Sequence, residues 1–138
     1  MRVNRYATLF VVGSFAIIVL VGACSMHAWR DYDLSEPFTD VLEAGRGILR
    51  YRAETAEFRV HGHFSGSGYL FLIHVDPDIL DVEYFHPDTL GRFGIRVPVA
   101  GDIDFTSTSL WYFHKVWVVF IPVEPGSGNV RVRFRLMR

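Results

Sequence analysis

Residues 117–136 read WVVFIPVEPGSGNVRVRFRL. The apolar period on both sides of Pro125-Gly126-Ser127-Gly128 is two, the signature of β-strands, and the Gly-Ser segment between them is a turn signal. If residues 125–128 form a hairpin loop, Glu124 pairs with Asn129. Trp117, Val119, Ile121 and Val123 then share a face with Val130, Val132, Phe134 and Leu136. Two apolar stripes on one face demand a buried sheet surface. The other face carries Arg131, Arg133 and Arg135 beside Val118, Phe120 and Pro122.

The same period runs upstream. Leu49, Tyr51 and Ala53 alternate with Arg50, Arg52 and Glu54. Glu57–Phe64 and Tyr69–Val75 flank Ser65-Gly66-Ser67-Gly68, a second hairpin signal. Ile79–Phe85 lies between Asp76-Pro77-Asp78 and His86-Pro87-Asp88. Gly94–Val99 follows, where Pro98 requires an edge strand or an early end. Ile103–Ser107 and the long aromatic run Leu110–Val123 complete the set. About seven or eight short strands with turn signals every 8–12 residues predict an all-β fold, an antiparallel β-sandwich, with a small β-barrel as the alternative.

The first 24 residues are of another kind. Arg2 and Arg5 precede an apolar run from Tyr6 to Ala23, and the run ends at Val21-Gly22-Ala23-Cys24. A positive start, an apolar stretch and small residues are the order of an export signal. Charge on the cytoplasmic side pushes the following chain across the membrane. Val21-Gly22-Ala23-Cys24 resembles the lipobox of bacterial lipoprotein precursors. The resemblance implies cleavage before Cys24, a lipid on its sulfur (diacylglycerol, typically palmitate-containing) and acylation of its amino group. An uncleaved anchor helix and an ordinary cleaved signal peptide are the alternatives: 18 apolar residues at ~1.5 Å each span roughly 27 Å. All three place the rest of the chain outside the cytoplasm, on the periplasmic side of a bacterial cell envelope.

The organisation predicted is therefore 1–23 signal peptide or anchor, 24–46 tether, and 47–138 one β-domain. Ser25–Glu36 is polar and without apolar period, as a tether would be. Pro37–Ala44 reads as a short helix, with Phe38, Val41 and Leu42 on one face, or as an irregular lead-in. Cys24 is the only cysteine, so no disulfide is available. From Cys24 onward 12 basic residues meet 15 acidic ones, a formal charge of −3 that gives no nucleic-acid footprint.

Three constellations carry potential chemistry. His61 and His63 share a strand face, and the hairpin register would bring His74 within ~7–8 Å, a candidate copper or zinc site. Arg59 on that face opposes a cation. The aspartates at 76, 78, 81, 102 and 104 fall in two turn regions, where calcium binding competes with plain turn chemistry. Trp111, Phe113, Lys115 and the Arg131/Arg133/Arg135 stripe form a candidate partner surface, for an acidic protein or for lipid headgroups. Lys115 interrupts an otherwise apolar stripe, so a bulge or surface exit is expected there. No nucleophile, phosphate loop or paired-carboxylate pattern is present in the sequence. The reading is a membrane-tethered, non-enzymatic envelope lipoprotein without cofactor that binds a protein partner. A periplasmic metal-binding protein is the alternative.

Overall fold

The computed structural model describes residues 27–44, 54–80 and 87–137. The leader, Cys24 and the strand expected at 49–53 lie outside the described residues. No helix among the described residues is long and apolar enough to cross a membrane.

The strands are β1 (His27–Asp33), β2 (Phe38–Glu43), β3 (Glu54–Ile73), β4 (Gly94–Trp111), β5 (Lys115–Glu124) and β6 (Gly128–Met137). Among the described residues they form one antiparallel six-stranded sheet in the order β1-β6-β3-β5-β2, with β4 on the other side of β3. The predicted sandwich of two separate sheets is not what forms. A single sheet folds back on itself into a nearly closed barrel, nearer to the alternative.

The reason lies in the two Gly-Ser segments. Neither makes a hairpin. β3 runs through Ser65-Gly66 as one strand of 20 residues. Its first half pairs with β6, from Thr55↔Met137 to Phe64↔Gly128. Its second half pairs with β5, from Ser67↔Glu124 to Ile73↔Trp117. β5 and β6 are thus two lengths of one strand joined in line at 125–127. The two Gly-Ser segments lie side by side there. The Ser65 amide donates to the Ser127 carbonyl at 2.9 Å, and the Ser127 amide donates to Ser65 Oγ at 2.9 Å. β1 and β2 break at the same level, where the Leu34 amide donates to the Gly128 carbonyl at 3.0 Å. Gly101 of β4, at φ +60, pairs with Phe64 on the same line. Every long strand is creased across its middle.

The registers measure the fold-back. Glu54 lies opposite Trp111 and Ile73 opposite Trp117. Six residues reach at most about 20 Å, whereas β3 drawn straight would be roughly 66 Å long. The two ends of β3 must therefore curl towards each other. At this lip the His74 and Trp111 rings are 5.8 Å apart, and Trp111 Nε1–H donates to the Lys115 carbonyl at 2.8 Å.

An in-line link does not exchange the faces of a strand, so one parity stays inside throughout. Ala56, Phe58, Val60, Phe64, Leu70 and Leu72 of β3 are all buried in the main core. Val116, Val118 and Phe120 join Val130, Val132, Phe134 and Leu136 there. This reverses the expected pairing of the Trp117 stripe with the Val130 stripe. Trp117, Val119 and Ile121 belong instead to a second cluster, with Tyr69, Phe71 and Ile73 on the outside of the β3–β5 half. Leu80, Leu90 and Phe93 of the segment after β3 pack over it. That segment contains short turns at Pro77–Ile79, Pro87–Leu90 and Gly91–Phe93 where Ile79 was expected to open a strand; residues 81–85 of that strand are not described.

Two further expectations are corrected. Pro37–Ala44 is not a helix: Phe38–Glu43 is strand β2, paired with β5. Eight residues repay helix nucleation poorly, and β5 offers a full ladder. The tether is not free chain either, since His27–Asp33 is edge strand β1. Inside the angle between β1 and β2, the Tyr32 and Phe38 rings stack at 4.7 Å. Asp40 there accepts from the Tyr32 hydroxyl at 2.8 Å and from Arg30. Pro98 does stand on an edge strand, because among the described residues β4 pairs only with β3. The long run Leu110–Val123 breaks at 112–114, beside Lys115, as its interrupted stripe requires.

Candidate functional site

The two halves of the sheet differ on their outer faces. Outside the β3–β5 half Phe71, Ile73 and Val119 form an apolar patch covered by Leu80, Leu90 and Phe93. Outside the β1–β6–β3–β4 half they are polar and form rows across four strands. Nearest the crease stand Asp33, Asn129, His63 and Asp102; the next row is Asp31, Arg131, His61 and Asp104. Further out come Trp29, Arg133, Arg59 and Thr106, then His27, Arg135, Glu57 and Thr108. The last row, at the lip, has Thr55 between Met137 and Leu110.

Cross-strand ion pairs fix most of these groups. Arg131 Nε donates to Asp31 Oδ1 at 2.8 Å and its Nη2 to Oδ2 at 3.1 Å, a bidentate pair. That hydrogen bonding holds the Asp31 carboxyl below the usual carboxylate range. The same guanidinium lies 4.2 Å over the Trp29 ring. Arg135 reaches Glu57 at 3.2 Å, Arg59 reaches Asp104 at 3.7 Å, and His63 Nδ1 lies 3.0 Å from Asp102 Oδ1.

Arg133 is different. Among the described residues no carboxylate pairs with it, and its Nε donates to His27 Nε2 at 3.3 Å. Burial first, then the charges of Arg133 and Arg135, hold the His27 imidazole below its ordinary range. It therefore stays neutral and accepts. His27, Glu57, Arg59, Thr106, Arg133 and Arg135 line a cavity of about 140 Å³. Planar guanidiniums with several donors in a fixed fork bind and orient anions.

The histidines predicted as a metal site do not come together. His61 and His63 share the platform, but His61 Nδ1 is buried without a hydrogen-bond partner and His63 is turned to Asp102. His74 is at the lip, stacked on Phe113 at 6.4 Å and edge-on to Trp111. The hairpin that would have joined them never forms. Among the described residues no three His, Cys, Asp or Glu side chains are placed to hold a metal. The aspartates serve turns and pairs, as where Asp76 Oδ1 accepts from the Asp78 amide at 2.9 Å; Asp81 is not described.

The candidate partner surface also divides. Trp111 is core, 3% exposed. Phe113 is exposed at the lip with Tyr112, and Lys115 pairs with Glu43 at 3.6 Å. Arg131, Arg133 and Arg135 stand on the platform as alternation required. Sequence reading missed His27 and Thr106, and saw Arg59 only as a deterrent to metal. Alternation through Glu57, Arg59, His61 and His63 was the available signal; His27 had none, because it was assigned to the tether. Compared with protein-family models, with curated proteins and with solved structures, the chain shows no match.

Proposed function

We propose that the chain is a membrane-tethered, non-enzymatic binding module of the bacterial envelope, its barrel holding the charged platform rigidly towards a protein partner. The tether is the leader ending at Cys24, lipidated or retained as an anchor. One observation carries the reading: a face four strands wide is built from Arg, His and Asp side chains preset by cross-strand pairs. Preset side chains lose little freedom on association, which is what a recognition surface needs.

In-cell photocrosslinking from Asp102 and Asn129, which stand on the platform beside the crease, is the test. A discrete heterologous product, lost in Arg131→Glu, is the expected result. Recovery of the protein alone, or products unchanged by the charge reversal, would refute the reading. Cys24→Ser separately tests the tether: loss of lipid label and altered processing are expected, and unchanged processing would leave only the uncleaved anchor or plain secretion.

A further inference from the structure

We infer that the lip end of the platform docks on the bilayer that holds the tether, with the phosphodiester of an anionic phospholipid headgroup seated among Arg59, Arg133, Arg135, His27 and Thr106. The inference rests on the tethering proposed above and adds an orientation to it.

Chain length comes first. His27 is already in β1, only three residues after Cys24. Three residues reach about 10–11 Å, so the His27 edge of the barrel cannot stand far from the membrane. His27 itself lines the cavity.

Charge is distributed to match. Away from the tether, the two rows near the crease hold Asp31, Asp33 and Asp102 against one arginine, with Asp104 already paired to Arg59. Towards the lip, Arg133 and Arg59 lie directly opposite each other, followed by Arg135. An anionic surface attracts the second end and repels the first.

Ligand charge and size also agree. Arg59, Arg133 and Arg135 set against Glu57 and Asp104 leave one uncompensated positive charge, centred on Arg133. A phosphodiester carries one negative charge. At about 140 Å³ the cavity is well below the ~300–1,000 Å³ of a pocket for a drug-sized ligand, which suits a small oxyanion.

The apolar side chains beside the cavity complete the case. Leu110 is 65% exposed, Tyr112 60% and Trp29 51%. They flank the basic rows across a width of about 14 Å, three strand spacings. Aromatic rings and arginines together are the composition of a membrane–water interface.

The experiment uses the full chain on vesicles of phosphatidylcholine, with and without phosphatidylglycerol, read by flotation and by hydrogen exchange. Amides of Leu110–His114 and His27–Trp29 are expected to exchange more slowly on phosphatidylglycerol vesicles, while those of Ile121–Gly128 at the crease do not change. Arg133→Glu removes two charge units of attraction, and the docked-to-undocked ratio should fall about thirtyfold. Thr106→Asp, which leaves every arginine in place, should act in the same direction. Protein that floats without this lipid-dependent protection overturns the docking and leaves the tether standing. Protein that does not float removes both. Protection by a polyglutamate peptide, and none by phosphatidylglycerol, would assign the cavity to an acidic protein and overturn the inference.

Discussion

Gly66→Ala should unfold the crease, and its cost can be worked from the contacts. A Cβ at Gly66 would lie 2.7 Å from the Pro125 carbonyl oxygen and 2.8 Å from its carbon, both backbone atoms. Ordinary carbon–oxygen contact needs more than half an ångström beyond that, so the strands must part. Parting them stretches the paired bonds Ser65 N–H to Ser127 O and Ser127 N–H to Ser65 Oγ, each 2.9 Å now. Two neutral hydrogen bonds are worth about 1 kcal/mol each. Overpacking against fixed backbone adds ~1–3 kcal/mol, and the stiffer unfolded chain returns roughly 0.4–1. The net is about 3 kcal/mol, or a fall of roughly 12 °C in Tm for a domain near this size. Gly91→Ala is the control, because its nearest neighbour would be Arg96 Cβ at 3.9 Å. Gly101→Ala should fall between them, with nothing within 4 Å but a φ of +60 that costs ~1–2 kcal/mol. Thermal melts of the full chain in neutral detergent decide the matter. If Gly66→Ala melts within about 3 °C of Gly91→Ala, the crease is not a close backbone approach and the folding argument fails.

Phe58→Ala should cost about 3–5 kcal/mol in denaturant unfolding, since the ring is fully buried between Phe134 at 5.3 Å and Trp111 at 4.9 Å. Asp40 sets an acid limit. Burial alone would raise its carboxyl, but hydrogen bonds from Tyr32, the Val41 amide and Arg30 outweigh that and hold it low. Its stabilisation is therefore present above the unfolded value near pH 4 and lost as pH falls through the folded one, so Asp40→Asn should flatten melts recorded between about pH 4 and pH 2. Zinc or copper at micromolar concentration should leave Tm unchanged, because His74 stands apart from His61 and His63; a metal-dependent rise would show that these side chains do converge.

Strand parity was legible, and the path of the strands was not. Period-two alternation placed Val130, Val132, Phe134 and Leu136 on a buried face, where they are. Ser65-Gly66-Ser67-Gly68 and Pro125-Gly126-Ser127-Gly128 have hairpin composition, yet each is a crease because the other lies against it. That is a contact between segments about 60 residues apart, and no local window contains it. The same non-local partner, the continuous β6–β5 strand, turned the apparent tether into β1 and the apparent helix into β2. For the site, alternation alone found Arg131, Arg133 and Arg135. The His74 assignment failed with its hairpin, and Trp111 failed because a regular strand was continued across the bend at 112–114.

The crease explains why this sheet has a free face at all. Along β3 the outward positions are Glu57, Arg59, His61 and His63 before it, then Tyr69, Phe71 and Ile73 after it. A covering layer is needed only where those outward residues are apolar, and Leu80, Leu90 and Phe93 supply it there. Over the first half a cover would have to desolvate Arg59, Arg131, Arg133 and Arg135 together, and burying charge without full pairing costs several kcal/mol per ion. Water and cross-strand carboxylates satisfy most of them in place. Arg133, whose only polar partner among the described residues is a neutral imidazole, is the group that still gains from an external anion. Binding is therefore expected to concentrate around Arg133 and not spread evenly over the platform.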